Sequence, residues 1–447
     1  MAKHYGILGL AGATALALAL AGCSTPTTSN TAGTTGAPAT TSAPATVTIY
    51  GTPTGDEGNQ WEASWKSWAA ANNITIQYTG DRDFTTNIST KIQGNALPDI
   101  AVFPQPGLMQ AVIGTGKVQA LDATTLAEVT KNFSADWQKY GTANGKQYAV
   151  PLDASAKGYI WYSPAAFKTW GVTVPTTWDD LMTLTATIQS KVGGPVWCAG
   201  FNSGDATGWP GTDQLAEYVL SASGGDVYDK WVAGDVKFTD QPIADAFTAL
   251  GKILLDPRYV NAGFGDVASI NSTPFGDVAN ALAGGQCALT NQATFLQASF
   301  ATAKTAAGTT PKVAQDGDIW AFMMPPVAGK ASVVGGGDFA VAFTDSPAVQ
   351  KVMAYLASGD YANSLITVPG ATFITANQGV DVTKQADPLL ASAMKTLVDP
   401  ATAFRFGAGD AMPSVVQQAW WKGTVDWING TDQTTVLNQI QSAWADV

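Results

Sequence analysis

Residues 46–50, Thr-Val-Thr-Ile-Tyr, alternate polar and apolar and predict a strand. Gly51–Gly55 reads as a turn. The stretch 57–72 then takes a helical period, with Trp61, Trp65 and Trp68 at i, i+4 and i+7 as a packing face. Ile74–Tyr78 predicts a second strand, 83–94 a helix and 98–103 a third strand. Strand and helix alternating in this way predict parallel βαβ units, hence an α/β fold. Further on, 147–153 and 158–162 read as strands, and a helix opens at Pro164. A Thr N-cap followed by Asp179 and Asp180 opens another. Helical periods cover 212–223, 241–255, 347–358, 413–429 and 434–445. Residues 333–343, VVGGGDFAVAF, read as one strand interrupted by three glycines. The chain has no internal repeat.

The N-terminus carries a different pattern. Residues 7–21 are apolar or small, too short for a comfortable transmembrane helix and placed where a signal h-region belongs. The run ends in Leu20-Ala21-Gly22-Cys23, which resembles a lipobox and implies a signal peptide over 1–22 with diacylglycerol on Cys23. Residues 24–46 contain only Ser, Thr, Pro, Ala, Gly and one Asn. Such a segment cannot bury enough surface to offset the cost of ordering it, so 23–46 is expected to be a flexible tether. The expected location is the outer face of the cell membrane, held by the lipid alone.

Composition narrows the chemistry. The net charge of −12 argues against nucleic acid and against a polybasic membrane surface. The single histidine, His4, lies in the signal segment. A mature chain without it has no Ser-His-Asp or Cys-His system and no His-ligated metal site, and no cofactor is implied. Paired carboxylates stay available for glycoside hydrolysis. Outside the membrane, Cys198 and Cys287 suggest a disulfide; the alternative is two separate buried thiols. The 15 Trp, 12 Tyr and 17 Phe exceed what a lightly charged core explains, and a sugar site uses such rings against C–H faces.

Several blocks in order make the chain resemble the extracellular solute-binding proteins of carbohydrate ABC transporters, the maltose-binding-protein-like group. The α-glucoside-binding branch is the nearest in pattern. The blocks are PVWCAGFNSGDATGWPGTDQLAEYVL, VYDKWVAGDVKF, STPFGD at 272–277, Gln292-Ala-Thr-Phe295, VVGGGDFAVAF, FRFGAGDAMP at 404–413 and WWKGTVDW at 420–427. The resemblance covers essentially all of 47–447. It implies a two-lobed type II periplasmic-binding-protein-like fold, with two doubly wound sheets joined by a hinge. The implied lobes are 47–153 with 339–388, and 154–338 with 389–447, crossed near 150–156, 335–338 and 388–392. It further implies a monomer that captures an oligosaccharide between the lobes and hands it to a permease, without catalysis. A secreted carboxylate-dependent glycoside hydrolase is the competing reading. The sequence departs from the α-glucoside branch where Thr290-Asn291 replace a His-Arg pair.

The candidate site residues follow from position and from that resemblance. Arg82 sits after a strand end, where α/β sheets present ligand groups; Asp81 beside it is a further candidate contact, and the alternative is that Asp81 or Asp83 pairs with Arg82 structurally. Glu57 either accepts hydroxyls or merely opens a helix. Asp153 lies at the first expected crossing, and a carboxylate there can grip two hydroxyls; Lys157 follows it. Trp209 is read on a loop between Gly and Pro, free to stack on a sugar. The resemblance adds Gln105, Gln292, Phe295, Gly336, Gly337, Asp338, Arg405 and one of Trp420 and Trp421.

Overall fold

The computed structural model describes residues 44–261, 263–329, 332–398 and 403–447. The signal peptide 1–22, the lipid-acceptor Cys23 and all but the last three residues of the 23–46 tether lie outside the described residues. In chain order the strands are β1 (Ala45–Gly51), β2 (Ile74–Gly80), β3 (Ile100–Phe103), a hairpin of β4 (Thr142–Ala143) and β5 (Lys146–Gln147), β6 (Ala149–Pro151), β7 (Ser155–Ala156), β8 (Tyr159–Tyr162), β9 (Leu289–Gln292), β10 (Trp320–Met323), β11 (Ser332–Gly336), β12 (Phe339–Ala342) and β13 (Ala403–Phe406). β1 begins inside the segment read as tether, because Ala45 and Thr46 pair in parallel register with Ile74 and Thr75.

One lobe is built on a five-stranded sheet of order β2-β1-β3-β12-β6. β1 runs parallel to both β2 and β3, as the βαβ pattern requires, and β12 is antiparallel to β3 and β6. All four residues of β3 are buried, the signature of a strand covered on both faces. The helix Gly55–Ala71 turns Trp61 and Trp65 into this core, and Trp68 stacks on Tyr355 with ring centroids 4.1 Å apart. The Trp stripe is thus a packing face.

The other lobe divides its strands between two small sheets. β10-β8-β9 is wholly antiparallel, and in β13-β11-β7 the central strand is parallel to β13 and antiparallel to β7. Helices cover them, among them Trp178–Val192, Trp209–Ser223, Gln241–Leu254 and Ser414–Ile428. Thr177 caps the first of these: its hydroxyl accepts from the Asp180 amide while the Asp180 carboxylate accepts from the Thr177 amide. Cys198 and Cys287 form a disulfide with Cα atoms 5.8 Å apart. Closing a loop of 89 residues stabilises the fold by about 4–5 kcal/mol in the chain-entropy account.

Two strand pairs carry the chain between the lobes. β6 belongs to the five-stranded sheet and β7, four residues on, to the β11 sheet; β11 and β12 make the reverse passage. The two passages lie side by side, with the Leu152 amide donating to the Asp338 carbonyl at 2.7 Å. The glycine-interrupted strand read over 333–343 is therefore two strands in two sheets. A Cβ at Gly337 would stand 2.4 Å from the Asp153 carbonyl oxygen, so no larger residue fits where the passages touch. Residues 388–392 lie in the helix Pro388–Val398.

Candidate functional site

A cavity of about 190 Å³ opens where the two passages meet the walls of both lobes. That is below the ~300–1,000 Å³ common for drug-sized ligands, so the space suits a guest of one or two small rings. Strand ends and helix starts build it. Gly51 and Gly80 end β1 and β2, and the segments just after them supply Thr52, Pro53, Glu57 and Arg82. Gln105 follows β3 and stands at the N-cap position of the helix Pro106–Gly114, with no side-chain cap bond. Asp153, Lys157, Gly336, Gly337 and Asp338 come from the passages themselves.

The far wall is aromatic. Trp209, Phe295 and Trp421 line it, joined by Phe275, which the sequence reading did not single out. Trp209 meets Phe275 and Phe295 with centroids at 5.2 and 5.8 Å. It is the first residue of the helix Trp209–Ser223 rather than a loop residue. Gly208 before it adopts φ +110°, and a Cβ there would sit 2.5 Å from the Trp421 carbonyl oxygen; only glycine brings the two tryptophans to one wall. Phe373 faces the cavity from the first lobe.

Polar groups at the floor are already committed to one another. Asp153 is buried; one oxygen accepts the Trp61 indole N–H at 3.0 Å and the other the Asp338 amide at 3.1 Å. Burial and the Asp338 charge push the Asp153 carboxyl well up, and burial pushes Asp338 up to about 6. Asp153 is buried and Asp338 half-buried, and two neighbouring carboxyls so placed do not both ionise. Lys157 is also buried, its Nζ 2.6 Å from Asp213 and 2.9 Å from Asp410. Burial pushes Asp213 up to about 7, although Lys157 pulls it down. Behind it burial pushes Glu217 up to about 8, with Asn291 donating at 3.1 Å. At the rim Arg82 pairs with Glu57 at 2.7 Å and lies 5.9 Å from the Phe275 ring centroid. Asp205 accepts from both the Thr86 amide, at 3.1 Å, and its hydroxyl, at 2.8 Å.

Four predicted residues do not line the cavity. The carboxylate of Asp81 accepts from the Tyr50 hydroxyl, the Asn87 amide group and the Asp83 backbone, which outweigh its burial and lower its pKa. Gln292 is buried and accepts from the next backbone amide. Arg405 makes a bidentate pair with Asp229 at 2.6 and 2.8 Å. Trp420 is fully buried against Trp231 and Phe238, so of the two adjacent tryptophans Trp421 is the one at the cavity. Asp205, Phe275, Phe373 and Asp410 were missed. Phe275 and Asp410 lay in the blocks STPFGD and FRFGAGDAMP, but only folding brings Phe275 beside Arg82 and Trp209, and Asp410 beside Lys157. Among the described residues no cluster of His, Cys, Asp and Glu is arranged to hold a metal ion.

Comparison with known proteins agrees with this architecture. Residues 52–362 match the family model described as bacterial extracellular solute-binding protein. The chain is 32% identical over 405 residues to the osmoprotective compounds-binding protein GgtB of Synechocystis sp., covering 89% of this chain and 92% of that one. It is 30% identical over 415 residues to the alpha-glucosides-binding periplasmic protein AglE of Rhizobium meliloti, covering 90% and 87%. Among solved structures, the solute receptor AcbH superposes with a TM-score of 0.74 at 17% identity, covering 90% of this chain and 98% of that one. The GacH receptor of Streptomyces glaucescens superposes at 0.70 and 16%, covering 91% and 98%. The fold is thus the type II two-lobed receptor fold, and the chain belongs to the bacterial extracellular solute-binding proteins, receptors that hold a solute rather than enzymes that transform it.

Proposed function

We propose that the protein captures a small saccharide of α-glucoside type, in the class of maltose, trehalose or sucrose, and delivers it unchanged to the permease of an ABC importer. One observation carries this reading: rings of Trp209, Phe275, Phe295 and Trp421 face buried carboxyl and amide groups across one cavity of about 190 Å³. Indole faces suit the C–H faces of a pyranose, and planar polar groups suit its hydroxyls. The name of AglE supports the α-glucoside class, and that of GgtB extends the candidates to osmoprotective compounds.

The lobes are assigned as 47–153 with 339–388, and 154–338 with 389–447, closing on the sugar as a clamp. A guest favours closure only by touching both walls, because equal contact in both states shifts nothing. The protein acts as a monomer at the outer face of the membrane, tethered through a lipid on Cys23 and the linker that precedes β1. Calorimetric titration with maltose, trehalose, sucrose and raffinose tests the reading. Saturable binding of at least one without release of monosaccharide supports it, with a smaller radius of gyration on binding. Hydrolysis of any of them, or no binding and no change in shape, overturns it.

A further inference from the structure

The charges around the cavity do not balance. Among the described residues its lining carries two basic side chains, Arg82 and Lys157, against Glu57, Asp153, Asp205, Asp338 and Asp410. Neither base is free: Arg82 is held by Glu57 at 2.7 Å, and Lys157 lies between Asp213 and Asp410 at 2.6 and 2.9 Å. The acceptors are not exhausted. Gln105 is 7% exposed, and its Oε1 has no hydrogen-bond partner; neither has Asp338 Oδ1. Asp153, Glu57 and Asp410, all acidic, each act on the Asp338 carboxyl.

We infer that this cavity discriminates by charge, accepting uncharged or amine-bearing saccharides and rejecting acidic ones such as uronates and sugar phosphates. The inference rests on the saccharide reading and narrows it. A buried charge needs a partner of opposite sign. An acidic guest would lie beside Asp205 and the single charge shared by Asp153 and Asp338, with both bases already occupied. A hydroxyl or ammonium N–H instead finds Gln105 Oε1 and Asp338 Oδ1 waiting for a donor. The helix N-termini at Phe84 and Pro106 do not reverse this, although such ends favour anions in general. The Thr86 amide of the helix Phe84–Gln93 is already taken by Asp205, and the helix at Gln105 opens on Pro106, which has no N–H.

The test is titration at constant ionic strength with two matched series. One is glucose, glucosamine and glucuronate; the other is trehalose, 6-amino-6-deoxytrehalose and trehalose 6-phosphate. Within a series that binds, the acidic member is expected to be more than tenfold weaker than the neutral one, and the amine equal or tighter. Acidic and neutral members within tenfold of each other overturn the inference. Gln105→Lys, which adds a cation, and Asp338→Asn, which removes an anion, are each expected to narrow the gap at least threefold. A gap unchanged in both variants overturns the charge argument even where the gap exists. If no member of either series binds and the α-glucoside panel also fails, it is the saccharide reading that falls, and this inference with it.

Discussion

Asp153 shows how a residue can line a site and still be occupied elsewhere. Its two oxygens accept from Trp61 and from the Asp338 amide, so it fixes the first helix against both passages. Truncating it leaves two buried donors without an acceptor, at about 1–3 kcal/mol each. Asp153→Ala is therefore expected to lower the urea midpoint, and Asp153→Asn, which keeps one acceptor oxygen but turns an NH2 on the other donor, is expected to lower it less. Equal losses in both would show that both acceptor oxygens are needed together. The adjacent tryptophans separate in the same way. Both are buried, so both alanine variants lose stability, of order 3–5 kcal/mol for a fully buried Trp420. Only Trp421→Ala is expected also to weaken sugar binding at least tenfold, about 1.4 kcal/mol. Calorimetry with equal affinities in the two folded variants would remove Trp421 from the site.

At the scale of elements, the site is made where strands end and helices begin. Asp83, the N-cap of the helix Phe84–Gln93, makes no side-chain cap bond of its own. Asp205, from the short turn Gly204–Ala206, supplies the cap from 119 residues away. The contact joins two walls of the cavity. Asp205→Ala is thus expected to raise the sugar off-rate about threefold, the scale of an exposed hydrogen bond, with little change in the melting point of the unliganded protein. Stopped-flow displacement measures this, and an unchanged off-rate would mean that the bond plays no part in closure. Element identity was largely legible beforehand. The βαβ run from 45 to 103 follows from alternation and helical period, because those residues face one sheet whose two sides are covered. The start of the helix at Trp209 was not, since Gly208 and Pro210 read as loop signals until the close approach to Trp421 supplies the reason for the glycine.

Over the whole molecule, buried and half-buried carboxyls set a pH dependence. Asp338, Asp213 and Glu217 are raised to about 6, 7 and 8, chiefly by burial, above unfolded values near 4. The folded state then binds more protons than the unfolded one between about pH 4 and pH 8. Their contribution to stability is complete below about pH 4 and is lost as pH rises through the folded values. Asp81 and Asp122 are shifted the other way and lose their contribution as pH falls below the ordinary carboxylate range. The melting temperature is therefore expected to peak near about pH 5 and to fall toward pH 8. A flat or rising profile by scanning calorimetry over that range would mean that these carboxyls are not buried as drawn. Local alternation, turn residues and the two late cysteines determined from the sequence alone an α/β chain able to hold a disulfide, because these depend on neighbours and on composition. The paired passages, the choice of Trp421 over Trp420, the engagement of Arg405 with Asp229 and the unmatched acids at the cavity were decided only by tertiary structure. Each depends on which distant side chain stands within about 3–5 Å, and no period or spacing along the chain encodes that distance.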